Sequence, residues 1–224
     1  MKYLILGALF AIGPAIIFAQ NKDFTKKADA DPEATAILDA MRAKYDAYKT
    51  LEVNFEIVIE VPEQPRETQK GQLRQKGERY RLNLDGQTIV SDGTTLWLFS
   101  EKRKEVQIND VEEEEGSAMS PKDLMNIYKS DDYVYTLTNE MEENGRVVQQ
   151  IEFKPLDSDS EYSKIRLTLD RQTKDFVRIK VFSKDGSRYT FILKSIVPNR
   201  QYPDDLFQFK KSECPDCHWE DLRI

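Results

Sequence analysis

A mainly β domain with a little helix is the fold class this sequence predicts, and three observations predict it. From Leu51 to Val197, short segments of alternating apolar and polar residues follow one another at roughly ten- to twelve-residue spacing. Asp92-Gly93, Asn144-Gly145 and Asp185-Gly186 punctuate them, and such pairs are the strongest short-range hairpin signal. Near the start, from Ala34 to Tyr48, the apolar spacing lengthens to that of a helix. The segments add up to about ten antiparallel strands with one buried face, and a sheet that long must curl or close.

The first residues set the expected destination. Met1-Lys2 is a short positive region and Tyr3 to Phe18 an almost unbroken apolar run, with Ala19-Gln20 as the cleavage point. That run is short for a bilayer span, contains Pro14 and leads directly into a polar stretch. Residues 1–19 therefore read as a secretory signal peptide rather than an anchor. No cysteine lies at the cleavage point, so an exported product without its own lipid anchor is expected. Residues 20–30 read as a flexible segment and 31–224 as a single domain. The 33 basic and 40 acidic residues give a formal net charge of −7. Nucleic-acid binding needs a surplus of Lys and Arg on one face, so that class is excluded.

Within the domain, Asp31 is placed to cap a helix, Pro32 suits its first turn, and Glu33 and Ala34 favour its continuation. Ile37, Leu38, Met41, Tyr45 and Tyr48 form its apolar stripe over roughly four to five turns. At Leu51 the period drops to two. Leu51, Val53, Phe55, Ile57, Ile59 and Val61 then share one face of a strand that Pro62 to Pro65 ends. Strands are next expected at Lys70–Gln75, Glu78–Asp85, Gln87–Ser91, Thr94–Ser100 and Glu105–Asn109. In the second of these, Tyr80, Leu82 and Leu84 alternate with Arg79, Arg81 and Asn83; the fourth is loaded with Leu96, Trp97, Leu98 and Phe99. The acidic run Glu112–Glu115 interrupts the pattern, as a solvated loop or a docking surface for a basic partner. Ser120-Pro121-Lys122-Asp123 opens a short helix carrying Leu124, Met125, Ile127 and Tyr128. Strands resume at Tyr133–Thr138, Arg146–Lys154, Tyr162–Asp170, Asp175–Ser183 and Ser187–Val197, followed by a polar tail.

Groups that carry chemistry are sparse. A nucleophile–histidine arrangement would have to use His218, the single histidine. The carboxylates follow the exposed alternation of the strands, and no Gly-rich phosphate loop is present, so neither an enzyme nor a cofactor is expected. Cys214-Pro215-Asp216-Cys217-His218 matches the C-x-x-C-H attachment signature of c-type haem. It lies in the tail rather than at the head of a helix. A redox dithiol would want a helix N-terminus after it, and two sulfurs with one imidazole leave a metal site a ligand short. A structural disulfide between Cys214 and Cys217 is the simplest reading of the motif in an exported protein.

Gly71-Gln72-Leu73, Arg79-Tyr80-Arg81-Leu82, V-S-D-G-T-T-L-W at Val90–Trp97, the hairpin Lys180–Leu193 and Pro203-Asp204-Asp205-Leu206-Phe207 follow the signal peptide and the helix with Leu38, Met41 and Tyr45. In that order the set resembles the LolA family of periplasmic lipoprotein carriers across the whole mature chain. The resemblance implies a half-closed barrel, lidded by helices over an apolar cavity, in a monomeric periplasmic protein. Such a protein takes acylated lipoproteins from an inner-membrane ATP-driven complex and passes them to the outer membrane, with or without an acceptor there. Tyr80, Leu82, Leu84, Trp97 and Phe99 would line the cavity, and Leu124, Met125, Ile127 and Tyr128 the lid. Family members place an Arg-Pro pair before R-Y-R-L, and its arginine tethers the lid. Here Gln75-Lys76-Gly77 stands in that place, so Lys76 would make the lid contact as a point charge without the planar fork. The same sheet would also suit a lipid-sensing regulatory module or an envelope scaffold.

Overall fold

The computed structural model describes residues 26, 29–111, 127–129 and 131–223. Among them one α-helix, α1 (Pro32–Asp46), precedes a sheet of 12 strands. These are β1 (Leu51–Glu60), β2 (Glu67–Lys76), β3 (Arg79–Leu84), β4 (Gln87–Ser91), β5 (Thr95–Ser100) and β6 (Glu105–Asp110). There follow β7 (Tyr133–Glu143), β8 (Arg146–Pro155), β9 (Tyr162–Asp170), β10 (Phe176–Ser183), β11 (Arg188–Pro198) and β12 (His218–Asp221). Their order in the sheet is β12-β6-β5-β4-β3-β2-β1-β11-β10-β9-β8-β7. With β12 and β7 at opposite ends of that order, the curved sheet is unclosed, the half-barrel expected from the sequence. Two runs of hairpins are joined at the centre by β1 and β11, where Val53 faces Ile196 and Ile57 faces Phe191.

The helix forms where the capping signals place it. The Asp31 carboxylate accepts from the Glu33 N–H at 2.9 Å, and also from the Leu137 N–H at 3.1 Å and Thr136 Oγ1 at 3.3 Å. Asp31 N–H donates to the Tyr135 carbonyl at 3.0 Å. One side chain thus caps α1 and ties its start to the edge strand β7. Burial pushes the Asp31 carboxyl up, but the hydrogen bonds from Leu137, Glu33, Ala34 and Thr136 outweigh it and hold it below the usual carboxylate range. At the other end Lys44 Nζ lies 2.5 Å from Asp175 Oδ1, and Tyr45 Oη accepts from the Phe176 N–H at 3.4 Å. Between these anchors Ala34, Ile37, Leu38, Met41 and Tyr45 are buried against the sheet.

Two elements depart markedly from the sequence reading, and a third falls largely outside the described residues. β7 runs on to Glu143, past the expected end at Thr138. Asn139 to Glu143 are mostly poor strand formers, yet pairing with β8 across the Asn144-Gly145 turn extends the strand regardless. The tail after β11 is not a plain polar extension: it returns across the sheet and adds β12 parallel to β6. The short helix expected at Ser120–Tyr128 lies outside the described residues except for its end, where Ile127–Lys129 forms a 3-10 turn. Residues 1–19 and Glu112–Glu115 also lie outside them.

The core divides between the two faces of the sheet. On the α1 side the helix stripe packs with Val53, Phe55, Leu73, Ile151, Phe153, Leu167 and their neighbours. On the other side a smaller cluster joins Val90 and Val106 to Phe209, with Trp97, Phe99, Trp219 and the two cysteines packed around it.

Candidate ligand-binding face

Strand register sets what each face presents, because successive side chains point to opposite sides. Across the α1 face, Leu98, Ile89, Leu82, Leu73, Val53 and Ile196 stand side by side on six consecutive strands of the sheet. A second row runs Ile57, Phe191, Ile179, Leu167 and Ile151. Neither row contains an ionisable group. Beneath α1 the rows are buried, as at Leu167 and Ile151. Away from it Ile57, Leu82, Leu84, Ile89, Leu98 and Phe191 are only half-buried, an apolar floor that the helix does not cover.

Gly71 makes the floor smooth. The Phe55 ring reaches over it and stacks on Phe191 at 4.4 Å between centroids. A Cβ at Gly71 would fall 2.2 Å from Phe55 Cζ and 2.9 Å from a Leu84 methyl. Glycine is used here for close approach rather than for a left-handed backbone.

The expected site residues separate by parity. Tyr80, Leu82 and Leu84 do lie on the α1 face, packed against its core. Trp97 and Phe99 do not. Val90 and Trp97 are paired across β4 and β5, Val90 pairs with Arg81, and Arg81 with Arg74, so this row looks outward from the opposite face. There Phe99 stacks on Phe209 at 5.2 Å, and Phe209 meets Trp219 at 5.8 Å. Assigning them to the same wall as Leu82 is therefore corrected: β5 is apolar at every position from Leu96 to Phe99 because Leu96 and Leu98 belong to the apolar α1 face while Trp97 and Phe99 pack with Phe209 and Trp219 on the other. Tyr128 is buried beside α1, donating to Asp39 Oδ1 at 2.8 Å and meeting Tyr135 edge-on. Burial and the Asp39 carboxylate raise its hydroxyl well above the ordinary tyrosine range. Leu124 and Met125 lie outside the described residues, as does the Ile127 side chain.

Lys76 is likewise relocated. It lies three residues after the inward Leu73, an odd spacing that turns it to the opposite face, where its Nζ meets Asp204 Oδ1 at 2.7 Å. Its partner among the described residues is the C-terminal strap, and the expected lid lies outside them except for its end. That strap, residues 199–217, is pinned along its length. Glu52 accepts from Tyr202 Oη at 2.5 Å and from Arg74 and Arg200 at 3.4 Å. The Tyr202 hydrogen bond, against the opposing effect of burial and helped by both arginines, keeps the Glu52 carboxyl below its usual range. Tyr202 is pushed up to about 12 by burial and by Glu52. Further on, Arg79 lies over the fully buried Phe207 ring at 5.7 Å, and Arg81 pairs with Glu213. Cys214 and Cys217 are joined as a disulfide next to Trp219, and His218 is exposed on β12. Both sulfurs that haem attachment would need are thus spent on each other. Among the described residues no cluster of three or more His, Cys, Asp or Glu is placed to hold a metal ion.

Ile89, Leu98, Ile57 and Phe191 complete the floor and were not among the residues expected to line it. For Ile89 the signal was Asp85-Gly86, a two-residue loop that fixes Leu84 opposite Gln87 and hence Leu82 opposite Ile89. A half-open depression of about 240 Å³ also lies on β7–β9, lined by Val134, Thr136, Lys154 and Lys164 among others. That is below the roughly 300–1,000 Å³ of ordinary small-molecule sites.

Comparison with known proteins agrees with this architecture. An uncharacterised protein of Methanocaldococcus jannaschii is 24% identical over 214 residues, 95% of this chain; the chain spans 59% of that protein's length. Among solved structures, an uncharacterised conserved protein of Thermus thermophilus matches with a TM-score of 0.56 at 9% identity, covering 86% of this chain and 99% of that one. A LolA superfamily protein of Nitrosomonas europaea matches with a TM-score of 0.42 at 15% identity, covering 79% and 97%. The family model for outer membrane lipoprotein carrier protein LolA matches residues 46–210, the span from the end of α1 to the strap, and the chain belongs to that family.

Proposed function

We propose that the protein is a non-enzymatic carrier that shields lipoprotein acyl chains on the uncovered part of the α1 face. The observation that carries this is the row from Leu98 to Ile196, apolar at every position and only half-buried beyond the reach of α1. Each acyl methylene buried on such a floor gains roughly 0.8 kcal/mol against the fixed losses of ordering, so retention strengthens with the length of chain that the floor shields. Carriage needs no proton transfer or bond making, and neither row of the floor carries an ionisable group. Family membership supports a lipid-bearing protein as cargo. In this reading the apolar run at Tyr3–Phe18 exports the chain to the periplasm. There it receives cargo from an inner-membrane ATP-driven complex and delivers it to the outer membrane.

Titration with a fluorescent palmitoyl probe tests the reading. The protein should bind it saturably, and Leu82→Glu should weaken binding by tenfold or more. Lys76→Ala, on the outward face, is the control and should leave binding unchanged. Absence of saturable binding, or equal binding in Leu82→Glu, would sink the proposal.

A further inference from the structure

The face opposite α1 holds a second feature, at the far end of the sheet from the strap. Phe182, near the end of β10, has four cations around its ring. Lys164 Nζ lies 5.0 Å from the ring centroid, Arg188 5.1 Å, Arg166 5.3 Å and Lys180 5.6 Å. The register explains the gathering: Phe182 is flanked by Lys164 on β9 and Arg188 on β11, and Lys180 by Arg166. Two carboxylates answer the four cations. Glu152 takes Lys164 at 3.0 Å and Arg166 at 2.8 Å, and Glu60 reaches Lys180 at 3.4 Å. Arg188 bonds only the carbonyls of Gly186 and Ser187 among the described residues. Four positive against two negative groups leaves a local surplus of two in a chain whose net charge is −7.

We propose that this patch is a docking surface for an anionic phospholipid membrane. The cations are spread over three adjacent strands, about 10 Å across, so they present an array rather than a converging pocket for one phosphate. An array suits many anionic headgroups, and an aromatic ring among the cations suits the interfacial layer. Lys154 and Lys164 extend the array along the half-open depression on β8 and β9. The excess of negative charge elsewhere on the molecule is repelled by the same membrane, so only this end is turned towards it. Turned that way, the protein presents the rim formed by the β10–β11 turn, where Tyr189 on the α1 face is 39% exposed beside Ile59. The patch is independent of the acyl-binding floor, since it lies on the other face and acts through charge.

Vesicle flotation of the purified protein tests the proposal, using phosphatidylcholine alone and phosphatidylcholine mixed with phosphatidylglycerol. The protein should float only with the anionic vesicles and be released by raising salt. A Lys164→Gln/Arg188→Gln double variant should bind at least tenfold more weakly, given about fivefold per basic residue at such a surface. Arg188→Lys, which keeps the charge, should bind like the parent, and an unchanged melting curve certifies that the double variant is folded. Equal flotation with both vesicle types, salt-insensitive binding, or binding unchanged in the double variant overturns membrane docking. Those outcomes would point to insertion through the apolar floor, which Leu82→Glu abolishes and the patch variants do not. Tighter retention on an immobilised acidic peptide than on anionic vesicles overturns it in favour of a protein partner.

Discussion

The two faces of β3–β5 are built from the same strands yet end in opposite states. On one, Leu82, Ile89 and Leu98 stand in register and remain half-buried. On the other, Arg81, Val90 and Trp97 stand in register one residue away, and Val90 has no exposed surface at all. Among the described residues the apolar face is the open one and the partly charged face is the closed one. The difference lies in what covers them. The strap and β12 bring Phe207, Phe209 and Trp219 to the charged face, with Asp204, Glu213 and Glu52 answering Arg79, Arg81 and Arg74. Nothing in the described chain beyond α1 performs that service for Leu82 and its row. An apolar face left uncovered beside a polar face sealed with care is the arrangement expected of a binding surface rather than of incomplete packing.

Substitutions on the two faces sharpen that contrast, the largest effect first. Phe207→Ala empties a fully buried site under Arg79 and should lower stability by about 3–5 kcal/mol, read as the shift of the denaturation midpoint. Leu82→Ala on the half-buried floor should lower it by far less; equal losses would mean that both faces are ordinary core. Gly71→Val comes second. Its side chain would drive into Phe55, and the displaced ring should cost roughly 1–3 kcal/mol while roughening the floor. Loss of palmitoyl-probe binding beyond the loss of stability is the expected result, and unchanged binding would mean that the ligand does not lie over Phe55.

The smallest effect concerns the strap's first anchor. A carboxyl held below its usual range in the folded state contributes stability that is present above its unfolded pKa and is lost as pH falls through the folded value. Glu52 is such a group, so the strap should loosen as pH drops below about 4, the ordinary glutamate range. Glu52→Gln should cost about 1–2 kcal/mol at neutral pH and flatten that acid limb, measured by melting curves across pH. A variant whose pH dependence matches the parent would remove Glu52 from the account.

How much of this was legible beforehand varies with the range of the interaction involved. Asp31 and Pro32 announced the start of α1, since a cap is satisfied within a few residues, and the helix begins there. Gln87–Ser91 and Tyr162–Asp170 have the bounds that alternation and turns assign them. Trp97 and Phe99 were misplaced because an aromatic run states that a strand is covered without stating by what. For Lys76 the family feature suggested a contact with a lid that lies mostly outside the described residues, while the count of positions from Leu73 turns it outward to Asp204. Phe207, Phe209 and Trp219 were visible as aromatics in a polar tail. The partners of Phe209, Phe99 and Val106, lie far earlier in the chain, beyond any local pattern.

By itself the sequence determined the local periods: helix, strand, hairpin and the family to which their order belongs. Those follow from dihedral preference, turn chemistry and side-chain alternation, each settled within a few residues. The tertiary structure alone decided which face each element covers, that the tail returns as β12, and that four cations surround Phe182. These depend on strands that meet only when distant segments come into register, where a shift of one residue exchanges the two faces.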